Sequence, residues 1–233
     1  MLILGIDTST SYLSVALVES DDYDSEEIGS VQEKTQNNQS EILLSRIETL
    51  LNKHGYKPTD LEKIAVAIGP GSYTGVRVGV TVAKTLAYAL NIPVTPMSSF
   101  IPMRYTPNHS DITVPMIDAR RGTVFAAAFG LTLDEGYLIP EGHYEFEDFL
   151  AKVLKLGYEF SFVGDAAIVH KERLLSFATK ERWIFVSDES ESSVNKAESI
   201  ARLSYFENEF PSVDCHELKP NYLRKTEAEM NLE

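Results

Sequence analysis

At 233 residues the chain is long enough for one large domain or two of ~100 to 120 residues each, and 43% hydrophobic content supports real cores. A formal charge of −14, from 35 acidic against 21 basic residues, argues against a general nucleic-acid-binding surface, because affinity for phosphate backbones comes largely from Lys and Arg displacing counterions. No apolar run reaches membrane-spanning length, MLILGID at the N-terminus lacks a basic segment and a cleavage site, and the single Cys215 excludes an internal disulfide, so a cytoplasmic location is expected.

Leu2 to Ile6 and Tyr12 to Val18 are short apolar runs separated by Asp7-Thr8-Ser9-Thr10-Ser11, whose short polar side chains favour a turn. With a weaker strand at Ile28 to Glu33, they predict a three-stranded antiparallel meander. The acidic run Asp21, Asp22, Asp24, Glu26 and Glu27 between them reads as a solvated loop, as does Asp188, Glu189 and Glu191 later in the chain. From Glu41 the period changes: Leu43, Leu44, Ile47, Leu50 and Leu51 recur at helical spacing, and Asn38 followed by Glu41 fits a cap, predicting an amphipathic helix over Gln39 to His54.

A buried strand at Ile64 to Ile68 then runs into Gly69-Pro70-Gly71-Ser72-Tyr73-Thr74-Gly75. A strand, a glycine turn and a helix start are where phosphates often bind, through exposed backbone N–H groups and the helix dipole. The letters fit neither a P-loop nor a dinucleotide fingerprint, and a pure packing turn is the competing reading. In the segment that follows, Val76, Val78, Val80 and Val82 alternate as a strand would, whereas Gly75, Gly79, Ala83 and Ala87 form one small-residue helical face. A strand this long and glycine-interrupted is the poorer solution, so a helix to Leu90 is predicted, followed by a short strand at Pro93 to Thr95.

The second half repeats the order. Ile112 to Ala119 and Thr123 to Leu131 form a hairpin around Arg120-Arg121-Gly122, with Tyr137 to Ile139 as a short third strand. A helix follows at Glu145 to Leu156, a buried strand at Phe160 to Val163, a turn at Gly164-Asp165 into a helical segment ending near Ala178, a strand at Trp183 to Val186 and a last helix at Val194 to Asn208. The economical reading is a duplicated α/β unit with its boundary near Ser98 to Asp111, giving lobes at 1–105 and 106–233 with the second reduced.

That plan is the one found in the actin, sugar-kinase and Hsp70 ATPase superfamily (ASKHA, with ribonuclease H-like lobes). GIDTST at Gly5 to Thr10, QSEILL at Gln39 to Leu44, GPGSYTGVRVGV at Gly69 to Val80, AKTLAYAL at Ala83 to Leu90, MSS at Met97 to Ser99, IDARRG at Ile117 to Gly122 and PNYLR at Pro220 to Arg224 resemble, in order and across nearly the whole chain, the TsaB (YeaZ) family. The resemblance implies a non-catalytic subunit of the bacterial machinery that makes threonylcarbamoyladenosine next to the tRNA anticodon. In that machinery the paralogue TsaD carries the metal and the chemistry, and the ATPase TsaE completes the assembly. It also implies pairing with TsaD through a helical bundle, self-pairing through an overlapping surface, only indirect contact with tRNA, and no tightly bound cofactor, any nucleotide being held at an interface of the assembled complex. The bundle is expected from Leu43, Leu44, Ile47, Leu51, Val76, Val80, Ala83 and Ala87, with Val76→Arg or Ala83→Arg breaking it. Helices of α/β folds are apolar all round for purely internal reasons too.

The competing class is a small actin-like nucleotide hydrolase or kinase using Asp7, the 69–75 turn and Asp118. Its anion site would draw on Asp7, Gly69, Gly71, Ser72, Thr74, Gly75, Asp118 and Arg120. The chain has no Gly-Gly to face an adenosine, and its second loop reads Asp118-Ala119-Arg120-Arg121, where bulky arginines stand in place of small residues. Asp7 alone is a poor magnesium site and reads better as a turn residue bonding the backbone of Ser9 or Thr10. No metal site is expected: His54, His109, His143, His170 and His216 are scattered without metal-binding spacing, and Gln39 stands where some family members carry histidine. Arg120, Arg121, Arg224 and Lys225 could touch phosphate inside a complex or pair with the abundant carboxylates. Cys215 reads as an ordinary small side chain, with His216 beside it the one hint of a reactive pair.

Overall fold

The structure is a computed structural model that describes residues 1–21, 24–35, 38–104, 110–131, 136–157, 159–187 and 196–224. Asp22, His109, Lys225, the acidic run from Asp188 to Glu191, the expected lobe boundary at 105 and 106 and the expected helix start at Val194 lie outside the described residues. The chain forms two compact units, Met1–Pro102 with Asn195–Asn221, and Met103–Val194 with Tyr222–Glu233.

The first unit is built on a five-stranded sheet from β1 (Leu2–Asp7), β2 (Tyr12–Ser20), β3 (Ser25–Lys34), β4 (Lys63–Ala67) and β5 (Val94–Met97), in the order β3-β2-β1-β4-β5. β1, β2 and β3 are antiparallel neighbours, while β1, β4 and β5 run parallel. Every residue of β1 is buried because both faces are covered. On one face, Leu2, Leu4 and Ile6 join Leu13, Val15 and Leu17 under α1 (Gln39–Lys53) and α2 (Tyr73–Leu90). On the other, Ile3 joins Val18, Ala65, Ala67 and Met97 under Ile200 and Ala201 of the helix Lys196–Leu203. Each large side chain so buried stabilises the fold by about 1.5–3 kcal/mol. β3 is an edge strand carrying Glu26, Glu27 and Glu33, charges that discourage further strand addition.

Two expectations need correction here. The last helix packs on the first sheet and belongs to the first unit, where its apolar stripe covers a face that would otherwise be bare. Asn38 makes no side-chain cap on α1, and its Oδ1 is buried without a hydrogen-bond partner. Gln39 fixes the helix start instead, its Nε2 donating to the Thr10 carbonyl at 3.0 Å. The helical reading of 73–90 is borne out, with Gly75, Val76, Gly79, Val80, Ala83 and Ala87 on the buried side.

The second unit repeats the topology. A short helix α3 (Ile101–Arg104) precedes β6 (Ile112–Asp118), β7 (Thr123–Gly130) and β8 (Tyr137–Glu145), which form the antiparallel meander, and β9 (Glu159–Val163) and β10 (Trp183–Val186) add in parallel. The order β8-β7-β6-β9-β10 matches that of the first sheet. Phe149, Leu150 and Val153 of α4 (Phe146–Val153), Ala166 and Ala167 of α5 (Asp165–Val169) and Leu174 of α6 (Lys171–Leu175) close its core over Val114, Met116, Phe160 and Phe162. The Lys196–Leu203 helix is then α7 in chain order. No described helix is long and apolar enough to cross a membrane.

Candidate functional site

The glycine turn joins β4 to α2 and lies against the turn between β1 and β2. Ser72 N donates to the Ser9 carbonyl at 2.6 Å, and the Thr8 hydroxyl donates to the Gly75 carbonyl at 2.7 Å. A Cβ on Gly71 would sit 2.1 Å from the Ser9 carbonyl oxygen, and one on Gly75 2.0 Å from that of Thr8, so both glycines are demanded by backbone contact. Gly69 and Ile68 are held on the far side: the Gly69 carbonyl accepts from Ser99 N at 2.9 Å, and the Ile68 carbonyl from Asn221 N at 2.7 Å. Ser72 caps α2 by accepting from Gly75 N at 3.2 Å, which occupies one of the amides a phosphate would use, and Thr74 is exposed. Asp7 is 2% exposed, and its Oδ1 accepts from Ser9 N at 2.7 Å in an Asx turn. Ser9 Oγ and Ser99 Oγ are buried beside this turn without hydrogen-bond partners.

The corresponding loop of the second unit is built around Asp118 at the end of β6. Its Oδ1 accepts from Arg120 N at 2.9 Å, its Oδ2 lies 3.3 Å from the Arg120 guanidinium, and its own N–H donates to Asp165 at 3.0 Å. Arg120, Arg121 and Gly122 have φ of 70°, 54° and 80°, so the hairpin tip is a left-handed run with two arginines where glycine or asparagine is the usual occupant. Gly164, at the β9–α5 turn, repeats the close contact of the first unit: a Cβ there would lie 2.2 Å from the Met116 carbonyl oxygen.

Two neighbours of that tip are not evident from the sequence. His143 on β8 pairs with the Thr123 hydroxyl at 2.8 Å, and Arg224 donates to the Ala119 carbonyl at 3.2 Å. Partial burial, and then the Arg224 charge, holds the His143 imidazole below its ordinary value of 6.5. The second unit also has a cleft of about 620 Å³ lined by Gly122, Glu145, Phe146, Asp148, His170 and the ion pair Glu147–Arg173.

Of the eight residues expected to form a partner-binding bundle, seven point inward. Leu43, Ile47, Leu51, Val76, Val80, Ala83 and Ala87 are each at most 5% exposed within the core of the first unit. The sheet needs one apolar face of each helix for itself, so these positions are core. Leu44 is 54% exposed, and the outer surface of α2 offers Tyr73, Thr81, Thr85 and Tyr88, with Val78, Val82 and Leu86 half-buried.

Comparison with known proteins places this arrangement. A family model described as TsaD: tRNA N6-adenosine threonylcarbamoyltransferase matches residues 13–232. The Bacillus subtilis (strain 168) protein called tRNA threonylcarbamoyladenosine biosynthesis protein TsaB is 35% identical over 234 residues, spanning 98% of this chain and 96% of that protein. The protein of the same name from Haemophilus influenzae is 33% identical over 128 residues, 54% of this chain and 52% of its own. In fold, the solved structure of YeaZ from Pseudomonas aeruginosa superimposes with a TM-score of 0.72 at 23% identity, covering 95% of this chain and 99% of that one. With two repeated five-stranded sheets in the fold and 35% identity along nearly the full length of both proteins, the chain belongs to the TsaB family of tRNA threonylcarbamoyladenosine biosynthesis proteins.

Proposed function

We propose that this chain is a non-catalytic subunit of the cytoplasmic machinery that installs threonylcarbamoyladenosine at tRNA position A37, acting as a scaffold for a TsaD-type transferase. The observation that carries the reading is the state of its two loop carboxylates. Asp7 and Asp118 each commit Oδ1 to a backbone N–H of their own turn, and an arginine sits beside the second, which favours a turn-forming role over holding a magnesium-bound nucleotide. The names of the matching family and of the TsaB relatives support the threonylcarbamoyladenosine pathway in which that partner works. Leu44, Tyr73 and Tyr88 on the outer faces of α1 and α2 supply apolar contacts for it, and two helices suffice for a standard interface of ~800 Å² per partner. On this reading the chain also helps receive TsaE, can pair with itself through the same face, and meets tRNA only through the complex. It holds no nucleotide tightly on its own, any nucleotide being held at an interface of the assembled complex.

The test is co-purification with the TsaD of the same cell. Leu44→Asp and Thr81→Arg, both at exposed positions, are expected to abolish the complex and to lower threonylcarbamoyladenosine formation while leaving the chain folded. Val76→Arg and Ala83→Arg are unsuitable probes, because they place a cation in the core. Survival of the complex in the two surface variants overturns the bundle, and ATP turnover by the isolated chain with magnesium overturns the non-catalytic assignment in favour of the hydrolase.

A further inference from the structure

Downstream of α7 the chain returns along the open edge of β5, where Val213 and Val94 exchange backbone hydrogen bonds at 2.8 and 3.3 Å, and then makes a tight turn. Glu217 N donates to the Asp214 carbonyl at 2.9 Å, and His216 N donates to Asp214 Oδ1 at 2.7 Å. In an extended segment three consecutive side chains would diverge, since neighbours point to opposite sides. The turn reverses this: a carboxylate oxygen of Asp214, the Sγ of Cys215 and an imidazole nitrogen of His216 all lie within 4.8 Å of one another.

We propose that Asp214, Cys215 and His216 form a binding site for a zinc-class divalent cation, with three protein donors and a fourth position open to solvent. The donor set selects the ion. A thiolate and an imidazole favour a borderline-soft metal over magnesium or calcium, which seek oxygen alone. Bonds of ~2.0–2.3 Å to tetrahedral zinc put donors ~3.3–3.8 Å apart, a side-chain adjustment from the separations present. Asp214 and His216 are exposed and Cys215 is 8% exposed, so the ion approaches from solvent onto a thiol seated at the core boundary. The surroundings hold the ligands in place. The Tyr88 ring meets the His216 imidazole edge-on at 5.7 Å, and Lys84 Nζ donates to the His216 carbonyl at 3.3 Å, fixing the turn to α2. Binding displaces the thiol proton to solvent and uses the neutral imidazole. This inference does not rest on the partner assignment, although Tyr88 borders both surfaces.

The purified full-length chain, stripped with chelator, is titrated with Co²⁺ and then Zn²⁺. A thiolate-to-cobalt absorption in the near ultraviolet is expected, saturating at one ion per chain and bleached by Zn²⁺. Cys215→Ser is expected to remove the band. His216→Ala and Asp214→Asn are expected to weaken binding by at least ~10-fold, a scale that even outer-shell changes reach. Because His216 is exposed, its variant tests the site without disturbing the core. Absence of a cobalt–thiolate band in the wild type, or binding by His216→Ala as tight as wild type, overturns the site.

Discussion

Gly75→Ala is the sharpest probe of the glycine turn, because local and tertiary effects oppose each other. Within a helix the change should stabilise by ~1 kcal/mol, the propensity difference between the two residues. Against this, the new Cβ would lie 2.0 Å from the Thr8 carbonyl oxygen, where a comfortable carbon–oxygen contact is ~3.3 Å, so α2 and the β1–β2 turn must part by over ~1 Å. That forfeits the Thr8–Gly75 hydrogen bond, worth ~0.5–1.5 kcal/mol, and adds overpacking strain of ~1–3 kcal/mol. The tertiary costs win, and the net expectation is a loss of about 2 kcal/mol from the first unit. In urea this lowers the midpoint by ~1 M for a slope near 2 kcal/mol per M. Far-ultraviolet circular dichroism follows the unfolding, and fluorescence of Trp183, the one tryptophan, reports separately on the second unit. A midpoint equal to or above wild type would refute the argument, showing that the turn yields where the contact geometry says it cannot.

Neighbouring leucines on α1 give a second contrast: Leu43→Ala is expected to cost ~2–5 kcal/mol, while Leu44→Ala stays within ~0.5 kcal/mol, and equal losses in chemical denaturation would contradict the assigned faces. Glu207 supplies a pH dependence. Partial burial opposes its ionisation, but hydrogen bonds from the buried Lys63 and from Ser212 outweigh it and hold the carboxyl at about 2 in place of 4.5. A depressed carboxylate stabilises fully above the unfolded value and loses that contribution as pH falls from 4.5 toward 2. Stability of wild type should therefore drop more steeply across that window than stability of Glu207→Gln, and parallel curves would remove the ion pair from the account.

The sequence is most legible where a pattern answers a local question. Gly75, Gly79, Ala83 and Ala87 outvote the alternating valines because four-residue spacing gives α2 one continuous small face, and that face is the one buried. Strand β8 is legible only over its first three residues, since Pro140, Gly142 and irregular pairing around Ala128 break the alternation that marks a strand. Questions of partnership are illegible for a different reason. Leu43 and Leu44 are the same residue type side by side, and only the direction of the sheet decides which one faces it. Lys63 opens β4 as a charged residue and would be read as exposed, yet it is 1% exposed because the Ser204 carbonyl and Glu207, far along the chain, satisfy it. The convergence of Asp214, Cys215 and His216 depends likewise on a turn whose hydrogen bonds no spacing rule encodes.

The placement of α7 has a consequence for how the protein comes into being. The sheet that the ribosome begins with β1 keeps one face bare until the helix Lys196–Leu203 is made, after every strand of the second unit has been synthesised. The strands of both sheets can pair as they emerge, Leu2–Met97 and then Ile112–Val186, but the first sheet depends on a helix encoded far downstream for its second cover. In a translating chain Ile3, Val18, Ala65 and Ala67 therefore wait as an exposed apolar face until α7 has been made.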